Sequence, residues 1–263
     1  VNVLPTAKTK AAQAIVSLKD TLSTFVSPGI DPDQYIASAI AEVNMLRMQF
    51  SDEQLSDNRT VDSIVKAVFN GAVVGLLIGP HLGHAYLVGY VRHRGQKGEY
   101  AEIQFMPGYK GLLELSFSNG FLVQCDPEFV LNGEEIDRGH TEQGPYVKHR
   151  IPIPRDKPTK ENIIGVYATY ATRAGGKGVV YVERDELKQV DSGRNVWKSN
   201  YPAMALKTAV RRAAKRWRLT RQMAYAVTLD EQAEREEPQT SLVPQPDQAE
   251  SNINLDDLPE GDD

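Results

Sequence analysis

The stretch M-A-L-K-T-A-V-R-R-A-A-K-R-W-R-L-T-R, residues 204–221, decides how the chain is read: it holds seven Lys/Arg and no acid in a chain of formal charge −5. Wound as a helix at about 100° per residue, it puts Lys207, Arg211, Lys215 and Arg218 on one stripe, with Arg221 beside them. Leu206, Val210, Ala213 and Trp217 fall on an adjacent apolar stripe. The pattern predicts one helix that packs by one side and presents cations by the other. The plainer alternative is a solvated helix face, but such faces usually mix both signs of charge to gain i,i+4 pairs. A single sign points to a polyanion.

The rest of the chain sharpens that contrast. Residues 229–263 hold 12 Asp/Glu and one Arg, a net of −11, which leaves residues 1–228 at +6. The body is basic and the end acidic. With 41% hydrophobic residues among 263, a sizeable core is expected. The single cysteine, Cys125, excludes an internal disulfide or a thiolate metal cluster and fits a reducing compartment. No secretory signal and no apolar run of the ~20 residues that span a bilayer is found, so a cytoplasmic protein is expected.

Outward from the basic stretch, the periodicity predicts helices over 9–26, 33–49 and from Thr60 to about 75, with Asp31 as N-cap and Pro32 at the first helical position of the second. Side chains then alternate over 85–92 and 100–106 around the turn R-G-Q-K-G, 94–98, a hairpin with a basic tip. A bend at 107–111 feeds a helix over 112–118. Strands are predicted at 121–124, 128–131, 146–153, 163–173 and 179–182, and a helix at 184–190. The order predicts an α+β fold: helices first, an antiparallel sheet of hairpins packed with helices, and a Pro-, Gln- and Asp-rich acidic tail that cannot bury enough apolar surface to order itself. Three regions follow: a helical region at 1–58, a basic core at 59–228 and the tail at 229–263.

Catalytic constellations are sparse. His81-Leu82-Gly83-His84 lacks the third and fourth ligands a zinc site needs. The glycine run at 175–178 lies between strands, unlike a P-loop. The acids Glu102, Glu114, Asp126 and Glu128 lack the paired spacing of a two-metal nuclease. No cofactor, metal or catalytic residue is expected. Cations with planar neighbours are plentiful instead: Arg92, Arg94 and Lys97 at the first hairpin turn, Lys110 after Tyr109, Lys148 and Arg150 on one strand face, Arg173 and Lys177 at a later hairpin. With the basic helix these are expected to line a groove along a sugar-phosphate backbone, with Tyr86, Tyr90, Tyr109 or Trp197 as stacking partners for bases.

Four segments in order, G-A-V-V-G-L (71–76), H-A-Y-L-V (84–88), Q-F-M-P-G-Y-K-G-L (104–112) and M-A-L-K-T-A-V-R-R (204–212), resemble the signatures of the RecT/Red-beta single-strand annealing proteins of phages and prophages. The resemblance covers about residues 60–220. It implies an ATP-independent recombinase that coats single-stranded DNA, pairs it with a complement and holds the nascent duplex in rings or helical filaments. The partners it implies are a 5′ to 3′ exonuclease and the host single-strand-binding protein. Tyr109, Lys110, Lys207, Arg211 and Arg212 become DNA-contact residues by that resemblance, and Gln104, Lys215 and Arg216 join the expected interface. The runner-up is a single-strand-binding protein that protects DNA without annealing it. In the tail, Ile253, Leu255 and Leu258 suggest a partner segment, with a solubilising role equally weighted.

Overall fold

The computed structural model describes residue 6, residues 8–217 and residues 219–241. Five helices open the chain: α1 (Lys10–Ser17), α2 (Lys19–Phe25), α3 (Pro32–Met45), α4 (Asp52–Ser56) and α5 (Asn58–Val74). Most starts carry a side-chain cap that satisfies an otherwise unpaired amide. Thr9 accepts from Ala12, Asp31 accepts from Asp33 with Pro32 behind it, and Ser51 and Gln54 form a reciprocal capping box. The predicted first helix divides at Leu18. Asp57, not Thr60, caps α5, because Thr60 is drawn inward and its hydroxyl accepts from the Ala101 amide. Gly75, at φ +82°, ends α5 in the left-handed conformation that suits glycine.

Strands β1 (Ala85–Arg92) and β2 (Tyr100–Pro107) form the predicted antiparallel hairpin. Helix α5 packs on it, and their shared core includes Ile64, Ile103 and Phe105. One edge of β2 is closed by side chains. The amides of Ala101, Ile103 and Phe105 donate to Thr60 Oγ1 (3.2 Å), Ser63 Oγ (2.9 Å) and Gln239 Oε1 (2.9 Å).

After α6 (Tyr109–Ser118) comes an antiparallel sheet of β3 (Leu122–Leu131), β6 (Ile163–Thr172) and β7 (Lys177–Glu183), in the order β3-β6-β7. The two strands expected at 121–131 are one, with Pro127 inside it. Strand β4 (Glu135–Thr141), which the polar segment concealed, pairs with β5 (Gly144–Arg150) as a separate two-stranded arm. Then follow α7 (Arg184–Val190), α8 (Asn195–Ser199), α9 (Tyr201–Ala214) and α10 (Arg221–Glu234). The fold is α+β, with antiparallel sheets.

The basic stretch is not one helix. Helix α9 ends at Ala214, a tight turn follows in which the Arg216 amide donates to Ala213, and Thr220 caps α10 by accepting from Met223. Trp217 is buried in that turn, edge-on to Tyr170 of β6 with ring centroids 5.7 Å apart. It joins the stretch to the sheet from the turn, not from a helical stripe. Arg218, expected on the basic stripe, lies outside the described residues, as do Ile253, Leu255 and Leu258. The tail boundary placed at Leu229 falls inside α10, which continues to Glu234 because Met223, Ala226, Val227, Leu229 and Ala233 are buried. Beyond it Gln239 is also buried. Among the described residues no helix is long and apolar enough to cross a membrane.

Candidate nucleic-acid interface

The G-Y-K-G bend brings the start of α6 against the loop before β1. Gly108 precedes α6, its amide donating to the His84 carbonyl at 2.8 Å. A β-carbon on Gly108 would stand 2.3 Å from the Gly83 carbonyl, and one on Gly111 2.1 Å from that of His84, so only glycine lets α6 approach the loop before β1. Tyr86 and Lys110 converge on the same spot: a β-carbon on Gly83 would be 3.1 Å from the Tyr86 hydroxyl and 3.4 Å from Lys110 Cδ. The N-cap, Gly108, has no side chain with which to cap α6 and no acid sits in its first turn, so the positive end of the helix dipole is left without a compensating carboxylate there.

These residues border a cleft of about 500 Å³, lined also by Ser199 at the end of α8 and by Asn200, Ala203 and Met204 at the start of α9. Tyr109 is half-buried, Tyr86 is partly exposed and Lys110 is exposed. Burial pushes both tyrosine hydroxyls above their usual pKa, so they stay neutral donors. The arrangement offers cation, amides and flat rings within one concavity, which suits a phosphate flanked by a base.

The basic stretch behaves otherwise. Lys207 reaches the inner end of the cleft but is 2% exposed and ion-paired with Asp230 of α10. Arg211, 8% exposed, pairs with Asp230 at 3.3 Å and with Glu234. Burial opposes the Arg211 charge, yet those two carboxylates hold it protonated above the ordinary arginine value. Lys215 pairs with Glu231 at 2.9 Å, and Arg212 with Glu186 of α7. The acids absent from 204–221 stand opposite it on α10, so the expected wall of free cations is in large part an internal helix–helix contact.

The other expected residues scatter. Arg92 is held by Glu102 at 2.7 Å and by the Glu236 carbonyl. Gln104 is 1% exposed and donates to Glu102 and to the Glu237 carbonyl. Both fasten the segment after α10 to the hairpin, Gln104 from a buried position and Arg92 with its side chain 22% exposed. Arg94 is exposed at the hairpin tip. On the three-stranded sheet, Arg173 donates to the Gly120 carbonyl at 3.0 Å, Lys177 is exposed and Arg216 donates to the Val179 carbonyl on the free edge of β7. Lys148 and Arg150 project from the arm, Lys148 5.7 Å from the Tyr146 ring and Arg150 3.5 Å from Glu135. Of the expected aromatics, Tyr90 and Trp197 are buried in the fold, and Tyr90 donates to the Ala233 carbonyl. The cleft residues that sequence reading passed over are Gly83, Met106 and Asn200. Asn200 precedes Tyr201-Pro202, a spacing that signals a cap, but it makes no cap hydrogen bond.

The chain is similar in sequence to known proteins. The chain is 29% identical to Protein RecT of Escherichia coli (strain K12) over 176 residues, 64% of this chain and 62% of that protein. It is 25% identical to the uncharacterized protein YqaK of Bacillus subtilis (strain 168) over 174 residues, 64% of this chain and 55% of the relative. The chain thus spans less than two thirds of each relative's length. The RecT family match runs over residues 33–243, from α3 through α10 to just past the buried Gln239, and by that extent the chain belongs to the RecT family.

Proposed function

We propose that this chain binds single-stranded DNA and anneals complementary strands in recombination, without ATP and as an assembly of several copies. The observation that carries the reading is the cleft at the uncapped start of α6, where Tyr86, Tyr109 and Lys110 meet in the G-Y-K-G motif of a RecT family member. Annealing needs no fuel, since each stacked base-pair step contributes about 1.4 kcal/mol. The protein's task is to screen phosphate repulsion while leaving base edges free. Lys110 and the α6 amides serve the first, and stacking on a tyrosine serves the second by holding a base by its face. Arg173 and Lys177 at the β6–β7 turn, Arg216 in the turn after α9, Lys148 and Arg150 on the arm and Arg94 at the hairpin tip extend the cationic surface. A 5′ to 3′ exonuclease to generate the strand and a host single-strand-binding protein to hand it over are the partners of this reading.

The test is pairing of complementary oligonucleotides by the purified chain in the absence of nucleotide. Acceleration over spontaneous pairing is expected, and Tyr109→Ala with Lys110→Ala should abolish it. Tight binding with suppressed pairing would instead identify a protein that only protects single strands.

A further inference from the structure

We infer that the loop Ile151-Pro152-Ile153-Pro154 is the knob by which one copy of this chain docks on the Met45–Met48 surface of another. The inference rests on the multi-copy assembly proposed above and names its contact. Ile153 is 97% exposed and Ile151 is also exposed. The loop is stiff: two prolines restrict it, and its base is pinned by Arg155, which donates to the carboxylates of Glu134 and Glu128 and to the Phe129 carbonyl. A rigidly displayed apolar side chain adds nothing to the isolated fold and is pre-organised for a partner.

The seat lies in the opposite part of the chain. Met45 ends α3 and Met48, 78% exposed, closes the short turn after it. Methionine side chains adapt to an incoming surface. The charges around the two patches match. Lys148, Arg150 and Lys157 flank the loop, against Glu135 and Asp156; Glu42, Asp52 and Glu53 flank the methionines, against Arg47, which Asp52 already binds, and Lys8, whose amide donates to Asn44. Loop against loop would oppose a patch of net positive charge to its own copy. Loop against the α3–α4 surface opposes unlike charge, a head-to-tail contact that repeats from copy to copy. Gln49, next to Met48, lines the cleft. Docking there brings the neighbour's Lys148 and Arg150 toward the cleft mouth and prolongs the cationic track.

Cysteine pairing tests this on the full chain bound to an oligonucleotide. The native Cys125 is buried, with its thiol pushed up to about 12 by burial, so it does not compete for a short bifunctional maleimide. Met48→Cys and Ile153→Cys, mixed, are expected to cross-link, each alone should not, and the double variant should give a ladder. Glu53→Lys should lower the yield at least several-fold and Glu53→Lys mixed with Lys157→Glu should restore it. Equal cross-linking of Ile153→Cys alone would overturn the contact in favour of loop-on-loop pairing. Multi-copy complexes by size without any cross-link would place assembly on another surface. Complexes of one copy at every protein-to-DNA ratio would overturn the assembly reading itself.

Discussion

Lys110 and Lys207 both line one cleft and differ in what they already hold. Lys110 is exposed, so Lys110→Ala should leave stability within about 0.5 kcal/mol while lowering the salt dependence of single-strand binding by about 0.7 in log–log slope. Lys207→Ala strips a partner from Asp230, which is fully buried, and should cost about 3 kcal/mol in urea unfolding. The pair Lys207→Met with Asp230→Leu should recover most of that, since removing both charges leaves neither uncompensated. A Lys207→Ala protein as stable as the parent would show that the pair does not hold α9 to α10. Glu134 poses a different test. Burial opposes its charge, but Arg155 and the Leu131 amide hold its carboxyl below the usual 4.5. A depressed carboxyl contributes stability above the unfolded-state value and loses it as pH falls through the folded-state value. Urea midpoints should therefore drop below pH about 4.5, and Glu134→Gln should flatten that drop while lowering stability at neutral pH.

At the scale of elements, the segment after α10 acts as a strap. The Gln239 side chain accepts from the Phe105 amide and donates to the carbonyls of Phe105 and Leu229, and Arg92 and Gln104 hold the carbonyls of Glu236 and Glu237. Gln239→Ala should cost about 1–3 kcal/mol through the buried groups it leaves unpaired; a chain ending at Ser241 should melt like the full one, and a chain ending at Pro238 should melt lower. How much was legible follows the same division. The hairpin, α7 and the glycine-bounded bend could be read because alternation, helical spacing and turn chemistry are local. Helix α10 was hidden because Asp230 interrupts its apolar stripe, and nothing local says that a buried aspartate faces Lys207 and Arg211. The same ignorance made α9 look like a surface: a stripe of one sign shows a need for the opposite sign but not whether DNA or a neighbouring helix supplies it. The cleft was legible as G-Y-K-G but its far wall, Asn200 to Met204, comes from contacts about a hundred residues away in the chain.

Across the whole molecule, charge is divided between what the fold consumes and what it leaves for a ligand. Residues 242–263 carry seven acids and no Lys or Arg, so removing them takes the formal charge from −5 to +2. Association with single-stranded DNA should then speed up at low salt and match the full chain once the screening length falls to about 3 Å at 1 M salt. A rate unchanged at low salt would mean that the tail's field does not reach the binding surface. Shape is divided in a similar way. With Thr60, Ser63 and Gln239 occupying the three outward amides of β2, that strand offers no rung to an incoming one. The multi-copy assembly proposed above requires that ordered growth be kept apart from runaway sheet pairing. Two hydroxyls and one amide act here as stoppers, confining any polymer built from this chain to contacts between side chains on that flank of the hairpin.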